Sequence, residues 1–149
     1  MNKAFRKAYS DASKQESKLK ILEELVAQEK EESAVLLAYK AGIQALKGNY
    51  AFFPAMKLSY FWESSKLFDK ALALEPDNLE VIFLRFTIEC GVPSIMSYAL
   101  HLQKDKKSIL ELLPQSKLDK DFKKAMIDFM FESGKCTESE EKILKNIKN

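Results

Sequence analysis

Apolar and polar positions alternate most regularly between Leu58 and Asn78, where the chain reads LSYFWESSKLFDKALALEPDN. Leu58, Phe61, Ser65, Phe68 and Leu72 recur at alternating steps of three and four, the spacing of one helix face. Glu63, Lys66, Asp69 and Lys70 fall mostly off that stripe, where water solvates them. Pro76 stops the helix, and Asp77 or Asn78 offers an oxygen to cap the next one. The pattern predicts an amphipathic helix around which the rest of the chain is organised. Its small residues Ser64, Ser65, Ala71 and Ala73 admit a close helical neighbour.

The same periodicity runs through most of the chain. Asn2–Tyr9 predicts a short helix burying Phe5 and Tyr9, weakened at Ser10–Ser13 by residues that favour turns and caps. Leu19, Leu22, Leu25 and Val26 mark a helix within Lys14–Lys30. Ser33 is positioned to cap a third, with Leu36, Tyr39, Ile43 and Leu46 inward. Gly42 in its middle costs roughly 1 kcal/mol against Ala, which a close helix crossing would explain. Lys47-Gly48-Asn49 supplies a stop.

Tyr50–Tyr60, with Phe52, Phe53, Pro54, Met56 and Leu58, is too apolar for a solvated loop, and Pro54 disfavours a continuous helix through it. Two readings stand: a loop folded back into the core, or the wall of a groove with Trp62 as a contact residue. Beyond Pro76, the residues Leu79, Ile82, Phe83, Phe86 and Cys90 form an apolar face ending at Gly91-Val92-Pro93. Arg85 lies within it, with Glu89 at i+4 as a partner. Ser94–Gln103 reads as a loop or an early helical turn. Asp105–Leu113 is a helix that Pro114 terminates. Ser116 or Asp119 opens another, carrying Leu118, Phe122, Met126 and Phe129 and ending at Gly134. Thr137-Glu138-Ser139-Glu140 is a capping box launching a last helix with Ile143, Leu144 and Ile147.

Composition sharpens this picture. A chain of 149 residues suits one domain, and four Gly with four Pro leave little turn chemistry for many strands. The expectation is an all-α array of antiparallel helix hairpins, about seven or eight helices in a single domain over residues 1–149. A net charge of +2, from 24 basic and 22 acidic residues, is too balanced to imply a nucleic-acid partner. Lys104, Lys106, Lys107, Lys117, Lys120, Lys123 and Lys124 read as a solvated face. No run approaches the roughly 18 apolar residues that span a membrane. The N-terminal stretch lacks an apolar signal core. The sequence as it stands reads as cytoplasmic, or as exported if a signal has been removed.

Ala41-Gly42, Lys47-Gly48-Asn49-Tyr50 and Phe68-Asp69-Lys70-Ala71-Leu72-Ala73-Leu74-Glu75-Pro76 together resemble a tetratricopeptide repeat. That family has a small pair in its first helix, a Gly-x-Tyr-type turn, and an aromatic-x-x-Ala-x-x-x-x-Pro ending, matched here by Phe68, Ala71 and Pro76. Pro76 follows Gly42 by 34 positions, about ten more than a standard unit of about 34 residues allows. The excess lies in Tyr50–Tyr60, so the chain resembles one clear repeat with an expanded aromatic turn. Leu79–Cys90 occupies the place of the next first helix, with Phe86 where a small residue is expected. Through Lys57-Leu58-Ser59-Tyr60-Phe61 and Phe83-Leu84-Arg85-Phe86 the chain is also similar to small tetratricopeptide-like proteins of Bacteroidetes-type bacteria, often made with an export signal. The resemblance implies a fold and a cell-envelope setting. It implies no chemistry.

Searching the residues for chemistry gives little. His101 is the one histidine, which excludes His-pair metal sites. Cys90 and Cys136 fit no metal or redox spacing, and read as a small core residue and an exposed turn residue. Carboxylates such as Glu23, Glu24, Glu138, Glu140 and Glu141 follow helix-surface patterns. No catalytic, cofactor or metal residues are assigned and no cofactor is expected. The expected function is a non-catalytic protein- or peptide-binding module, with Tyr39, Trp62, Lys66 and Arg85 as partner-binding candidates on a concave face. The alternative is a structural or self-associating helical protein of the bacterial envelope, in which Phe5, Tyr9 and Leu19 bury against a second copy.

Overall fold

One helix is apolar on nearly every side, and the others wrap it. A computed structural model describes residues 2–92 and 101–148. Among these residues the fold is all-α, with eight α-helices and no strand. In order they are α1 (Asn2–Lys14), α2 (Leu19–Ala27), α3 (Ala34–Tyr50), α4 (Pro54–Leu74), α5 (Leu79–Gly91), α6 (Leu102–Leu112), α7 (Lys120–Glu132) and α8 (Glu138–Lys148). Consecutive helices pack as pairs, α1 with α2, α3 with α4, α5 with α6, and α7 with α8, while α3 also contacts α1 and α5. The sequence reading of Ser94–Gln103 falls largely outside the described residues.

The central element is α5, not the stretch Leu58–Asn78 to which the periodicity pointed. Its run LEVIFLRFTIECG is buried almost throughout, including Glu80, Arg85 and Glu89, as expected of a helix that is apolar all round. One side of α5 (Val81, Leu84, Ile88) joins a cluster with Phe5, Leu22, Leu37 and Phe68. Another side (Ile82, Phe83, Phe86) joins Ile109, Met126, Met130 and Leu144 in a second. By contrast α4 buries one stripe, Phe61, Ser64, Phe68 and Ala71. That stripe is turned by about one position from the predicted face, leaving Leu58 exposed. The small Ser64 and Ala71 lie on the buried side.

Local signals place most boundaries. Ser33 Oγ accepts from Leu36 N–H, Asn78 Oδ1 from Val81 N–H, and Asp119 Oδ2 from Phe122 N–H, at 3.1, 3.1 and 3.0 Å. The capping box closes reciprocally: Thr137 N–H donates to Glu140 Oε1 at 2.8 Å, and Glu140 N–H to Thr137 Oγ1 at 3.2 Å. After α7, Gly134 takes φ +70°, the left-handed geometry that ends helices.

Four expectations are corrected by packing. First, Ser10–Ser13 does not end α1: Ala8 and Ala12 are buried on its inner face, and Ser13 Oγ donates to Ser10 O at 2.7 Å. Second, Gly48 is not a stop. It lies inside α3, and a Cβ there would meet the Phe61 ring at 3.3 Å, so its hydrogen admits α4 rather than a turn. At Gly42 the close neighbour is the Tyr9 ring, 2.8 Å from a built Cβ. Third, Tyr50–Tyr60 is neither a plug nor an expanded turn. Residues 51–53 alone connect α3 to α4, and Pro54 opens α4 at a position where its fixed φ suits and no N–H is missed. The extra residues extend α4 by helical turns, and Phe52 is 86% exposed, with Phe53 and Met56 open to water beside it. Lys57 Nζ reaches back to the Gly48 and Asn49 carbonyls at 3.2 and 3.1 Å, placing a cation at the end of α3. Fourth, Lys106 is buried rather than solvated: its Nζ lies 2.9 Å from Glu140 Oε1 and donates to Lys135 O at 2.9 Å, pinning α6 to α8.

Both cysteines are free and half-buried, so Cys136 is less exposed than its turn suggested. Burial pushes the Cys90 thiol up to about 11 and raises Cys136 as well. At neutral pH both stay protonated and weakly nucleophilic.

Candidate functional site

The first helix of every pair faces one groove of about 740 Å³, lined by side chains of α1, α3, α5 and α7. Its floor is aromatic and aliphatic: Phe83, Leu84 and Ile88 from α5, Phe122 and Phe129 from α7, and Leu46 from α3. Phe83 stands edge-on to Phe122 and Phe129, with ring centroids at 6.1 and 5.7 Å. These phenylalanines sit on the apolar faces read from sequence. Phe83 and Phe86 of α5 pack against the Phe122 and Phe129 rings of α7, and α1 meets the start of α7 through Arg6.

One end of the groove is ionic. Glu80 is 2% exposed and receives four donors: Arg6 Nε at 3.0 Å, Arg6 Nη2 at 3.2 Å, Tyr39 Oη at 2.6 Å and Asn2 Nδ2 at 3.3 Å. Arg6 also donates from Nη1 to Asp119 Oδ1 at 2.7 Å, and its guanidinium carbon lies 3.8 Å from the Phe122 ring centroid. Burial, then the charge of Glu80, pushes the Tyr39 phenol far up, so it remains a donor. The hydrogen bonds from Arg6 and from Phe122 N–H hold the Asp119 carboxyl below its usual range. That depression keeps the Arg6–Asp119 link ionised at moderately acid pH; its stabilisation is present above the unfolded pKa and is lost as pH falls through the folded one. Exposed Lys3, Lys7 and Asp121 stand around the opening.

This arrangement offers a largely apolar floor with a polar end. Its buried charges are paired with one another, as burial requires, and its exposed charges of both signs flank an aromatic floor.

The four residues predicted to meet a partner do not converge. Tyr39 lines the groove, but it is buried and spends its hydroxyl on Glu80. Arg85 is 6% exposed and points away: its Nε and Nη2 donate to both oxygens of Asp105 at 2.7 Å each. The expected i+4 partner Glu89 is secondary, its Oε2 3.8 Å from Arg85 Nε. Trp62 is 51% exposed on α4, and Lys66, one turn on, pairs with Glu63 at 3.3 Å. The residues the sequence reading missed are Arg6 and Glu80. A carboxylate two positions after the Asn78 N-cap, inside the apolar run of α5, was the available signal.

A second polar cluster lies behind α5. His101 donates its backbone N–H to Glu89 Oε1 at 2.8 Å and places Nδ1 3.1 Å from Oε2. Burial raises the Glu89 carboxyl, against the lowering effects of His101 and Arg85. Ser64 completes a serine–histidine–carboxylate set around a cavity of about 10 Å³. Nucleophilic catalysis needs a serine within reach of both the histidine and a substrate. Ser64 is fully buried and its Oγ has no hydrogen-bond partner, so this grouping has no room for a substrate. Among the described residues, no set of three His, Cys, Asp or Glu side chains is placed to hold a metal, and no helix is long and apolar enough to cross a membrane. Comparison of the chain with protein-family models, with curated proteins and with solved structures returned no match.

Proposed function

We propose that the chain is a non-catalytic binding module of tetratricopeptide-like helix pairs, which takes an apolar segment of a protein or peptide into the groove between α1, α3, α5 and α7. The observation that carries this reading is the groove itself. Corresponding helices of four successive pairs line one continuous face, which is how arrays of helix pairs form a binding surface. Its volume falls within the roughly 300–1,000 Å³ of ordinary ligand sites, and its partly buried aromatic floor suits the aromatic or aliphatic anchors that dominate interfaces.

The test fills the groove from a position that costs the fold little. Ala125 is exposed and lines the groove, so Ala125→Trp places a bulky ring in it while leaving the core untouched. A partner captured by the wild type is expected to be lost by Ala125→Trp at unchanged melting temperature, and retained by Trp62→Ala. The reverse pattern would move the site to the outer face of α4 and overturn the reading.

Self-association is a second reading, now carried by other residues. Phe5 is packed inside the first cluster of its own chain, with Tyr9 and Leu19 against it, so that face does not await a second copy. Phe52 and Phe53, edge-on at 5.2 Å, instead project at the α3–α4 connection with Met56 beside them. Light scattering of the wild type over a concentration series, run alongside the capture experiment, separates the readings: a monomer throughout removes the second.

A further inference from the structure

We infer that the small cavity between α4, α5 and the start of α6 is a built site for one water molecule, which Ser64 holds against the Arg85–Glu89–His101 cluster. Three observations converge. The cavity gives the centre of a water-sized sphere about 10 Å³, the lower bound at which a polar cavity holds one water. Ser64 Oγ is fully buried and unpartnered in the middle of α4; a buried hydroxyl left without a partner is costly, and native structures satisfy it with protein or solvent. The opposite wall supplies both donors and acceptors. Arg85 commits Nε and Nη2 to Asp105, while its Nη1 lies 4.0 Å from Asp69 Oδ1, beyond hydrogen-bond distance. Glu89 Oε1 accepts from His101 N–H at 2.8 Å, Oε2 lies 3.1 Å from His101 Nδ1, and each oxygen has a lone pair to spare. His101 lines the cavity as well.

A water there accepts from Arg85 and donates to Glu89, and its remaining capacity serves Ser64. It ties α4 to the ionic core of α5 and α6, beside the longer approach of Asp69 Oδ1 to Arg85 Nη1 at 4.0 Å. It also solvates the charged form of Glu89, the group that burial penalises. An apolar cavity of this size would stay empty. This one is lined by two charged side chains, a histidine and two serines, which is the chemistry of a hydrated one.

The direct test is a high-resolution crystal structure of the wild-type protein. The expected result is a fully occupied solvent peak within hydrogen-bond distance of Ser64 Oγ and of Arg85, Glu89 or His101. An empty cavity, or Ser64 turned to donate to a backbone carbonyl of its own helix, overturns the assignment. Ser64→Ala gives an independent readout by sign, with Ser59→Ala, exposed on the same helix, as reference for the propensity of alanine. If Ser64 binds a water, its alanine variant melts about 2–4 °C lower than the reference. If the hydroxyl is an orphan in a dry cavity, the variant melts higher, and the inference fails.

Discussion

Asp105→Ala is expected to lower the unfolding free energy by about 3–5 kcal/mol, the cost of stranding one half of a buried ion pair. Arg85 and Asp105 meet through two parallel bonds of 2.7 Å with both side chains almost wholly out of water. Removing the carboxylate leaves a guanidinium in the middle of α5, where the alternatives stand off at 3.8 Å (Glu89) and 4.0 Å (Asp69). Glu89 cannot turn fully towards Arg85 without releasing His101, so one pair is rescued only by breaking another. Asp105 also sits in the first turn of α6, where a negative charge is favourable, and its loss adds to the cost. Urea denaturation followed by circular dichroism measures the difference. Replacing both partners, as Arg85→Met with Asp105→Leu, should recover most of it, because the penalty lies in the unpaired charge rather than in the missing bond. A single-variant cost near 0.5 kcal/mol, typical of an exposed pair, would mean that water reaches this site.

How much of this was legible beforehand follows from the range of each signal. Helix positions were legible because three-and-four spacing, the caps at Ser33, Asn78 and Asp119, the box at Thr137 and the stop at Gly134 act over a few residues. Errors arose where tertiary contacts override local preference. Ser10–Ser13 favours a turn in isolation, but burial of Ala8 and Ala12 carries α1 through it. Pro54 reads as a breaker until the helix is seen to begin there. Tyr39 and Arg85 read as contact residues on a concave face, yet both are polar groups on apolar faces. The same property makes them buried partners of carboxylates, and those carboxylates, Glu80 and Asp105, lie 41 and 20 positions away. The groove was invisible for a related reason. Phe83, Phe122 and Phe129 look like core from periodicity, and whether they seal or leave an opening depends on how α7 docks against α5 and α1.

Glu80→Ala should be comparably severe, about 3 kcal/mol, because it withdraws the acceptor shared by Arg6, Tyr39 and Asn2. Arg6 retains Asp119 at 2.7 Å, which places this loss at the lower end of the range for a broken buried pair. Among the described residues the hydroxyl of Tyr39 makes its hydrogen bond to Glu80 alone. Tyr39→Phe in the wild-type background therefore removes a charge-assisted bond of 2.6 Å and is expected to cost about 1.5–3 kcal/mol. In the Glu80→Ala background the same change should cost almost nothing, since the bond has already gone. Four urea titrations give the coupling energy directly. A coupling of about 1.5 kcal/mol or more would establish that the polar end of the groove acts as one unit. Strict additivity would show that Tyr39 finds another acceptor once Glu80 is lost, and that its buried place beside the groove does not depend on the carboxylate. A tightly coupled end has a consequence for binding. With Glu80, Arg6 and Asp119 committed to one another, these three are not free to pair with a ligand's charge, and the Phe83–Phe122–Phe129 floor sets what fits. Affinity at the groove should then vary little with salt, since screening weakens mainly the exposed charges of Lys3, Lys7 and Asp121 at the opening.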